Sequence, residues 1–341
     1  MHVHLRDLLE TRLRLAQVWR AGVEALDNLP IRKPIFIVGM PRSGSTFLHE
    51  LLAQISEFRA PKVWEVMFPV SATHGDGREH ARRIRQAEAC LWWFRRLAPE
   101  ADAVYPMRAV TPHECVAIHS YTLLSQEFVS TCRIPAYEEF LHQLDLAPVY
   151  AWQKRFLQHL QLGQSAKRWI LKSPDHVYGL KDLFTSFPDA LIVQTHRNPV
   201  EVLKSSAQLT RVLRALYGRQ GDVEEIQQRE ARVLADGTEK LIEFRDAHPD
   251  LAERFIDVKY RELVDDPVGT TRRICEQSGT PFSNTTAEKV TCLALGRSRY
   301  HGPRASARPA EPEKVMRAEI NRFERYCSRF ELSLGQPDFR R

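Results

Sequence analysis

Five consecutive residues, Arg42 to Thr46, combine positive charge, hydroxyl groups and a glycine as phosphate-binding loops do. They follow a short apolar run at positions 35–38, and an apolar periodicity typical of a helix begins at Phe47. Backbone N–H groups at the start of a helix have no partner within it, and the helix dipole adds partial positive charge there. The pattern predicts a strand, an anion-binding loop and a helix; the alternative is a turn that binds nothing.

The loop lacks the lysine that a nucleoside-triphosphate loop uses. Residues 39–46 have the glycine spacing of the G-x-x-x-x-G-K-[ST] loop, but Ser45 occupies the position of its lysine. The positive charge lies earlier, on Arg42. Such a loop suits a triphosphate with Mg²⁺ poorly, and it better suits a nucleotide whose single 5′-phosphate carries another group.

At these residues the chain resembles a known family. The loop P-R-S-G-S-T is similar to the 5′-phosphosulfate loop of sulfotransferases that use 3′-phosphoadenosine 5′-phosphosulfate (PAPS), and residues 191–206 resemble the 3′-phosphate block of that family. Two intermediate blocks, 168–176 and 255–267, also fit. The resemblance is closest to a bacterial branch with R-x-P-x-x-W-E after the first loop, seen here as Arg59 to Glu65.

The resemblance implies PAPS as co-substrate, without a metal. It assigns the 5′-phosphosulfate to the loop residues, which are Arg42, Ser43, Gly44, Ser45 and Thr46. Arg197 and Ser205 are expected to hold the 3′-phosphate, by charge-assisted and hydroxyl hydrogen bonds respectively. Tyr260 matches a family tyrosine of the nucleotide site, and an ordinary strand aromatic is its alternative role.

Sulfuryl transfer needs positive charge against the leaving phosphate and a base for the acceptor hydroxyl. Arg42 and Lys172 are the expected catalytic cations. Glu65 is the predicted general base, because it follows the first loop where related sulfotransferases place a catalytic carboxylate; a structural ion pair with an arginine is its alternative role. The competing bases are Glu114, for which helix capping is the alternative role, His113 and His176.

Four short apolar runs are typical of buried parallel strands, at 35–38, 168–172, 191–196 and 254–259. Helical patterns separate them, which predicts an α/β fold with an open parallel sheet flanked by helices, like that of the P-loop proteins. Ligands of such sheets bind at the carboxyl ends of the strands. Each matched motif falls at such an end.

The sequence predicts an N-terminal amphipathic helix within 1–30, followed by a domain at 31–341. A helical insertion around 70–165 is expected on the acceptor side of that domain.

The net charge of +6 over 341 residues suits an anionic cofactor without requiring nucleic acid. Without a secretory signal or a bilayer-spanning run, we expect a cytoplasmic protein, with peripheral membrane contact through the basic N-terminal helix as a sharper interpretation. The six scattered cysteines suggest no metal site.

These features predict a PAPS-dependent sulfotransferase that acts on a hydroxyl of a small-molecule, lipid or glycolipid acceptor and releases adenosine 3′,5′-bisphosphate. A kinase-like phosphotransferase and a nucleotide-binding protein without turnover are the alternatives, and the oligomeric state stays open. An apolar acceptor is favoured by five residues that could equally belong to the core: Trp64, Phe68, Trp92, Trp93 and Tyr105. The segment His301 to Arg304 departs from the closing motif of the bacterial branch.

Overall fold

The computed structural model describes residues 1–71, 77–164, 167–216, 222–298 and 319–333. Five parallel strands form one sheet in the order β2-β3-β1-β4-β5. Their bounds are β1 Ile35–Gly39, β2 Phe58–Arg59, β3 Arg168–Lys172, β4 Leu191–His196 and β5 Phe255–Lys259. The four predicted strands are therefore present, and β2 is an addition at the edge of the sheet.

Helices occupy most of the remaining described chain. In chain order they are α1 His2–Ala21, α2 Val23–Asp27, α3 Ser45–Leu52, α4 Val63–Met67, α5 Gly77–Leu97, α6 Pro99–Val104, α7 Cys115–His119, α8 Gln126–Thr131, α9 Pro135–His142, α10 Ala147–Gln161, α11 Leu180–Ser186, α12 Pro199–Ala215, α13 Val223–Ala247, α14 Tyr260–Asp265, α15 Pro267–Gln277, α16 Asn284–Ser298 and α17 Glu324–Phe330. Six of these helices, α5 to α10, begin within 70–165.

The central strand β1 is buried on both faces because its side chains alternate between two apolar clusters. Phe36 and Val38 belong to the cluster that also contains residues of α1, α10 and α13. Ile35 and Ile37 belong to the opposite cluster, which contains residues of α3, α15 and α16. A parallel sheet covered by helices on both faces follows from this continuous apolar run.

The N-terminal stretch forms two helices, because α1 ends before Gly22 and α2 begins at Val23. Leu8 and Leu15 of α1 are buried in the same cluster as Phe36 of the sheet. Helix α1 thus packs on the core of the domain. Among the described residues, none of the helices combines the length and the apolar character needed to cross a membrane.

The sheet places its ligand-binding edge next to β1. Strands β3 and β4 pair with opposite sides of β1. The connections that leave the two sides of β1 therefore run in opposite directions across the sheet. A crevice forms at such a switch point, outside the carboxyl ends of the strands. The loop after β1, the segment after β3 and the segment after β4 therefore meet at one place.

Candidate active site

The loop between β1 and α3 depends on two glycines with positive φ. Gly39 has φ 126°, and a Cβ there would lie 2.4 Å from the carbonyl oxygen of Thr195. Gly44 has φ 90°, and a Cβ there would lie 2.8 Å from the ring of Tyr260. Other residues rarely adopt such conformations, so the glycine spacing seen in the sequence is a requirement of this turn.

The side chain of Ser43 holds the loop against the sheet. Its hydroxyl donates to the carbonyl oxygen of Met40 over 2.6 Å and lies 2.6 Å from Thr195 Oγ1, and the residue is fully buried. Only the backbone N–H of Ser43 is therefore suited to an anion. Gly44, Ser45 and Thr46, at the start of α3, line a cavity. No side-chain hydrogen bond caps this helix start, which leaves its N–H groups suited to an anion.

Four of the predicted cofactor residues converge at one end of the cavity. Arg42 Nε donates to Ser205 Oγ over 2.8 Å, and Arg197 Nη1 donates to the carbonyl oxygen of Arg42 over 2.8 Å. The guanidinium carbon of Arg197 lies 4.0 Å from the ring centroid of Tyr260. The structure thus joins the first loop to the segment after β4, although more than 150 positions separate Arg42 from Ser205.

This end of the cavity carries concentrated positive charge. Burial, and then the nearby charge of Arg197, lower the pKa of Arg42 from its ordinary value. Glu201 pairs with Arg197 over 2.8 Å, whereas the hydrogen bonds that Arg42 donates go to the hydroxyl of Ser205 and the carbonyl oxygen of Val104. An anion bound here would offset the repulsion between the two guanidinium groups.

Lys172, at the end of β3, forms a buried ion pair with Glu114. The ammonium group donates to Glu114 Oε1, and the hydroxyl of Tyr105 donates to the same oxygen over 2.8 Å. Burial alone would raise the pKa of Glu114, but Lys172 and Tyr105 stabilise the charged form and lower the pKa below its ordinary value. Both Lys172 and Glu114 line the cavity. The side chain of Glu114 makes no capping hydrogen bond to α7.

Glu65 lies in a different environment. Arg59 Nη2 donates to Glu65 Oε1 over 2.8 Å, and the backbone N–H of Lys62 donates to Glu65 Oε2 over 2.9 Å. The side chain is buried at the start of α4, and Glu65 is not among the described residues that line the cavity. The structure therefore shows the ion pair that the sequence left open as an alternative.

The two histidines that the sequence proposed as competing bases differ in their access to the cavity. His113 lines it, and burial lowers the pKa of this imidazole. His176 is fully buried, and its Nδ1 lies 2.9 Å from the hydroxyl of Tyr150. Burial lowers the pKa of His176 well below the ordinary value, and the residue lies outside the described cavity wall.

Asp175 is a cavity residue that the sequence reasoning did not single out. It lies three positions after Lys172, in a 3₁₀ turn at Pro174–Tyr178, and lines the cavity. Burial, and then the negative charge of Glu114, raise the pKa of Asp175 to about 7. The available signal was its place after the carboxyl end of a strand, where ligands bind in such folds.

The cavity has a volume of about 1200 Å³, which exceeds the usual range of a single-ligand pocket. Apolar side chains from several parts of the chain line the cavity, among them Leu8, Val66, Met67, Leu91, Phe94 and Tyr121. Charged residues line it as well, among them Glu10, Glu127 and Arg229. Of the five residues linked to an apolar acceptor, Phe68 and Tyr105 line the cavity. The indole of Trp64 is buried beside α5, whereas Trp92 and Trp93 are exposed.

The described residues contain no group of histidines, cysteines and carboxylates arranged to hold a metal ion. The predicted closing segment at His301 to Arg304 lies outside the described residues. Phe330 lies at the end of α17. The centroid of its ring is 4.1 Å from that of His196, at the end of β4.

Comparison with known proteins identifies the family. A family model described as the sulfotransferase family matches residues 34–284. The chain belongs to the sulfotransferase family. The predicted open parallel sheet of this family is confirmed by the crystal structure of sulfotransferase STF1 from Mycobacterium tuberculosis. That structure superposes with a TM-score of 0.76 at 26% identity, over 88% of this chain and 84% of that one.

Two further comparisons show similarity to mycobacterial proteins. Sulfotransferase STF9 from Mycobacterium avium shares the fold, with a TM-score of 0.78 at 24% identity over 97% of this chain and 85% of that chain. The omega-hydroxy-beta-dihydromenaquinone-9 sulfotransferases Stf3 of Mycobacterium bovis and Mycobacterium tuberculosis are each 27% identical over 264 residues, which is 72% of this chain. The chain spans 62% of the length of these curated relatives.

Proposed function

We propose that this member of the family transfers a sulfuryl group from PAPS to a hydroxyl of a lipid or glycolipid acceptor and releases adenosine 3′,5′-bisphosphate. The observation that carries the proposal is the convergence of Arg42, Arg197 and Ser205 beside a loop that lacks the triphosphate lysine. A donor with phosphates at both its 3′ and 5′ positions matches two guanidinium groups beside a helix start.

The residues present fit such a donor. The N–H groups at the start of α3, with Arg42 and Lys172, would hold the 5′-phosphosulfate. Arg197 and Ser205 would hold the 3′-phosphate, with Tyr260 in the adjoining wall. Because Arg42 contacts Ser205, its guanidinium lies between the two groups of residues.

Charge stabilisation at Lys172 is the first catalytic element of the proposal. In the transfer, the bond from sulfur to the 5′-phosphate oxygen breaks while a bond from sulfur to the acceptor oxygen forms. Negative charge grows on the leaving phosphate, where a preorganised cation lowers the barrier. An anionic donor would compete with Glu114 for Lys172, so that donor binding would loosen the buried ion pair.

We propose Glu114 as the general base, in preference to Glu65. Glu114 lines the cavity beside Lys172, whereas Glu65 is held by Arg59 and by the start of α4. Once Lys172 turns to the donor, the carboxylate of Glu114 loses its strongest partner. It then becomes a better acceptor for the proton of the attacking hydroxyl. Glu65 would act as a positioning residue for α4.

The acceptor is proposed to be lipid-like because many apolar side chains, including Leu91, Phe94 and Tyr121, line the cavity. The Stf3 relatives, by their name, sulfate a hydroxylated menaquinone, which is consistent with this class. We further propose that the enzyme works in the cytoplasm against a membrane surface, where such acceptors are found.

Transfer of labelled sulfate tests the proposal. The protein is incubated with PAPS carrying radiolabelled sulfate and a panel of hydroxylated lipids, and with ATP labelled on its terminal phosphate in parallel. Label from PAPS in the lipid fraction, with stoichiometric release of adenosine 3′,5′-bisphosphate, is the expected result. Label from ATP alone would overturn the proposal in favour of a kinase.

A further inference from the structure

Helix α5 exposes three large apolar side chains beside its cavity-lining residues. Trp92 is 49% exposed, Trp93 is 59% exposed and Leu97 is 79% exposed. The indoles of Trp92 and Trp93 contact each other, with centroids 4.8 Å apart. On the opposite side of the helix, Leu91 is buried in a cluster with Trp64. The exposure of three such side chains on one helix end calls for a function.

The exposed side chains continue the mouth of the cavity. Gln86 and Cys90 line the cavity and are also exposed, so the cavity reaches the surface there. Gln86, Cys90, Trp93 and Leu97 lie at helical spacing and form one stripe along α5. Along this stripe, the two cavity-lining residues are followed by the bulky, exposed side chains of Trp93 and Leu97.

Helix α1 also carries exposed residues that line the cavity. Glu10 and Arg14 line the cavity and are exposed, so the cavity also reaches the surface at α1. Leu9, 43% exposed, and Leu13, 66% exposed, lie next to them on the helix. Two helices thus each carry exposed apolar side chains next to exposed residues that line the cavity.

The charge of α5 indicates which partner fits. The helix carries six arginines and only two glutamates. Arg85 and Arg96 are exposed, and Arg96 lies 5.8 Å from the ring centroid of Trp92. Tryptophan side chains prefer the interface between lipid headgroups and acyl chains, and basic residues beside them are attracted to anionic headgroups.

We propose that Trp92, Trp93 and Leu97 dock this protein on an anionic lipid bilayer, with Leu9 and Leu13 of α1 on the same surface, so that a lipid acceptor enters the cavity from the membrane. This inference rests on the proposed function for its acceptor but not for its surface. The apolar residues would contact the acyl-chain boundary, the arginines would contact anionic headgroups, and the cavity would open between them. A protein partner would not require the mouth to open among them.

Vesicle sedimentation tests the docking surface. The full chain is mixed with vesicles of phosphatidylcholine alone and with vesicles that also contain phosphatidylglycerol. We expect binding to the anionic vesicles, weakened by salt, and a loss of about tenfold or more in the double variant Trp92→Ala/Trp93→Ala. The matched control is Leu295→Ala, an exposed leucine (62%) on α16, which should bind like the wild type.

Two results would overturn the docking surface: no binding of the wild type to anionic vesicles, or equal binding by the double variant. Calorimetric binding of adenosine 3′,5′-bisphosphate is measured on every variant. It shows that each variant is folded, and it separates the two proposals. Normal nucleotide binding without vesicle binding contradicts only the docking surface, and the reverse contradicts only the proposed function.

Discussion

Lys172 and Glu114 form a buried ion pair in the wall of the cavity, and the hydroxyl of Tyr105 donates to the same carboxylate oxygen as Lys172. The pair joins the end of β3 to the residue before α7, across 58 positions of sequence. The pair lowers the pKa of Glu114 below its ordinary value. Under the proposed function, an anionic donor would compete with Glu114 for Lys172.

We predict that Glu114→Gln lowers kcat by roughly 10²–10⁴, because the acceptor hydroxyl loses its base. Binding of adenosine 3′,5′-bisphosphate should persist or tighten, because Lys172 is no longer neutralised by a carboxylate. Steady-state kinetics and calorimetry measure both effects.

Glu65→Gln is the matched control for Glu114→Gln. It should keep most of kcat and lower the free energy of unfolding by about 3 kcal/mol, because it weakens the buried pair with Arg59. Denaturant titration measures that loss. If Glu65→Gln abolished turnover while Glu114→Gln did not, Glu65 would be the base, as the sequence first indicated.

The loop glycine provides a second prediction. Gly44→Ala should abolish binding of adenosine 3′,5′-bisphosphate, because the new Cβ would meet the ring of Tyr260 at 2.8 Å in a backbone with φ 90°. The control is Gly279→Ala, which has φ 67° but no neighbour within 4 Å. It should cost only about 1 kcal/mol of stability and leave binding intact. Nucleotide binding by Gly44→Ala at wild-type affinity would contradict the close approach of loop and ring.

The raised pKa of Asp175 predicts a pH dependence of nucleotide binding. Below pH 7 this carboxyl group is largely neutral, and above pH 7 it becomes an anion in the wall that faces an anionic ligand. Binding of adenosine 3′,5′-bisphosphate should therefore weaken between pH 6 and 8 by roughly 1 kcal/mol, relative to Asp175→Asn.

The phosphates of the ligand also ionise over this pH range, but they do so equally with the wild type and with Asp175→Asn. The ratio of the two affinities therefore cancels the contribution of the ligand. Calorimetry across this pH range gives the ratio of the two affinities. A ratio that does not change with pH would show that Asp175 does not ionise beside the ligand.

The sequence predicted the central part of the fold because the strands carry unambiguous patterns. The run at β1 is apolar, the run at β4 begins with three apolar residues, and both strands are followed by residues with distinct chemistry, so that sheet geometry alone brings Arg42 near Arg197. Strand β2 was missed because two residues are too short for any periodicity. The break between α1 and α2 occurs at Gly22, which a helical pattern tolerates.

The partners of the acidic residues could not be read from the sequence. Glu65 lies in the first turn of a helix and Glu114 directly precedes one, and only the packed structure shows which contacts Lys172 and which contacts Arg59. The pKa of Asp175 likewise depends on burial and on a carboxylate 61 positions away, which no local pattern encodes.

The most direct test of the account is calorimetric binding of adenosine 3′,5′-bisphosphate, AMP and ATP to the wild type and to Arg197→Ala. Lys204→Ala, which removes an exposed cation one position before Ser205 on the same helix, is the control. We predict that the wild type and Lys204→Ala prefer the bisphosphate, and that Arg197→Ala loses about 2 kcal/mol for it while its affinity for AMP barely changes. Equal or tighter binding of ATP by the wild type would contradict the account.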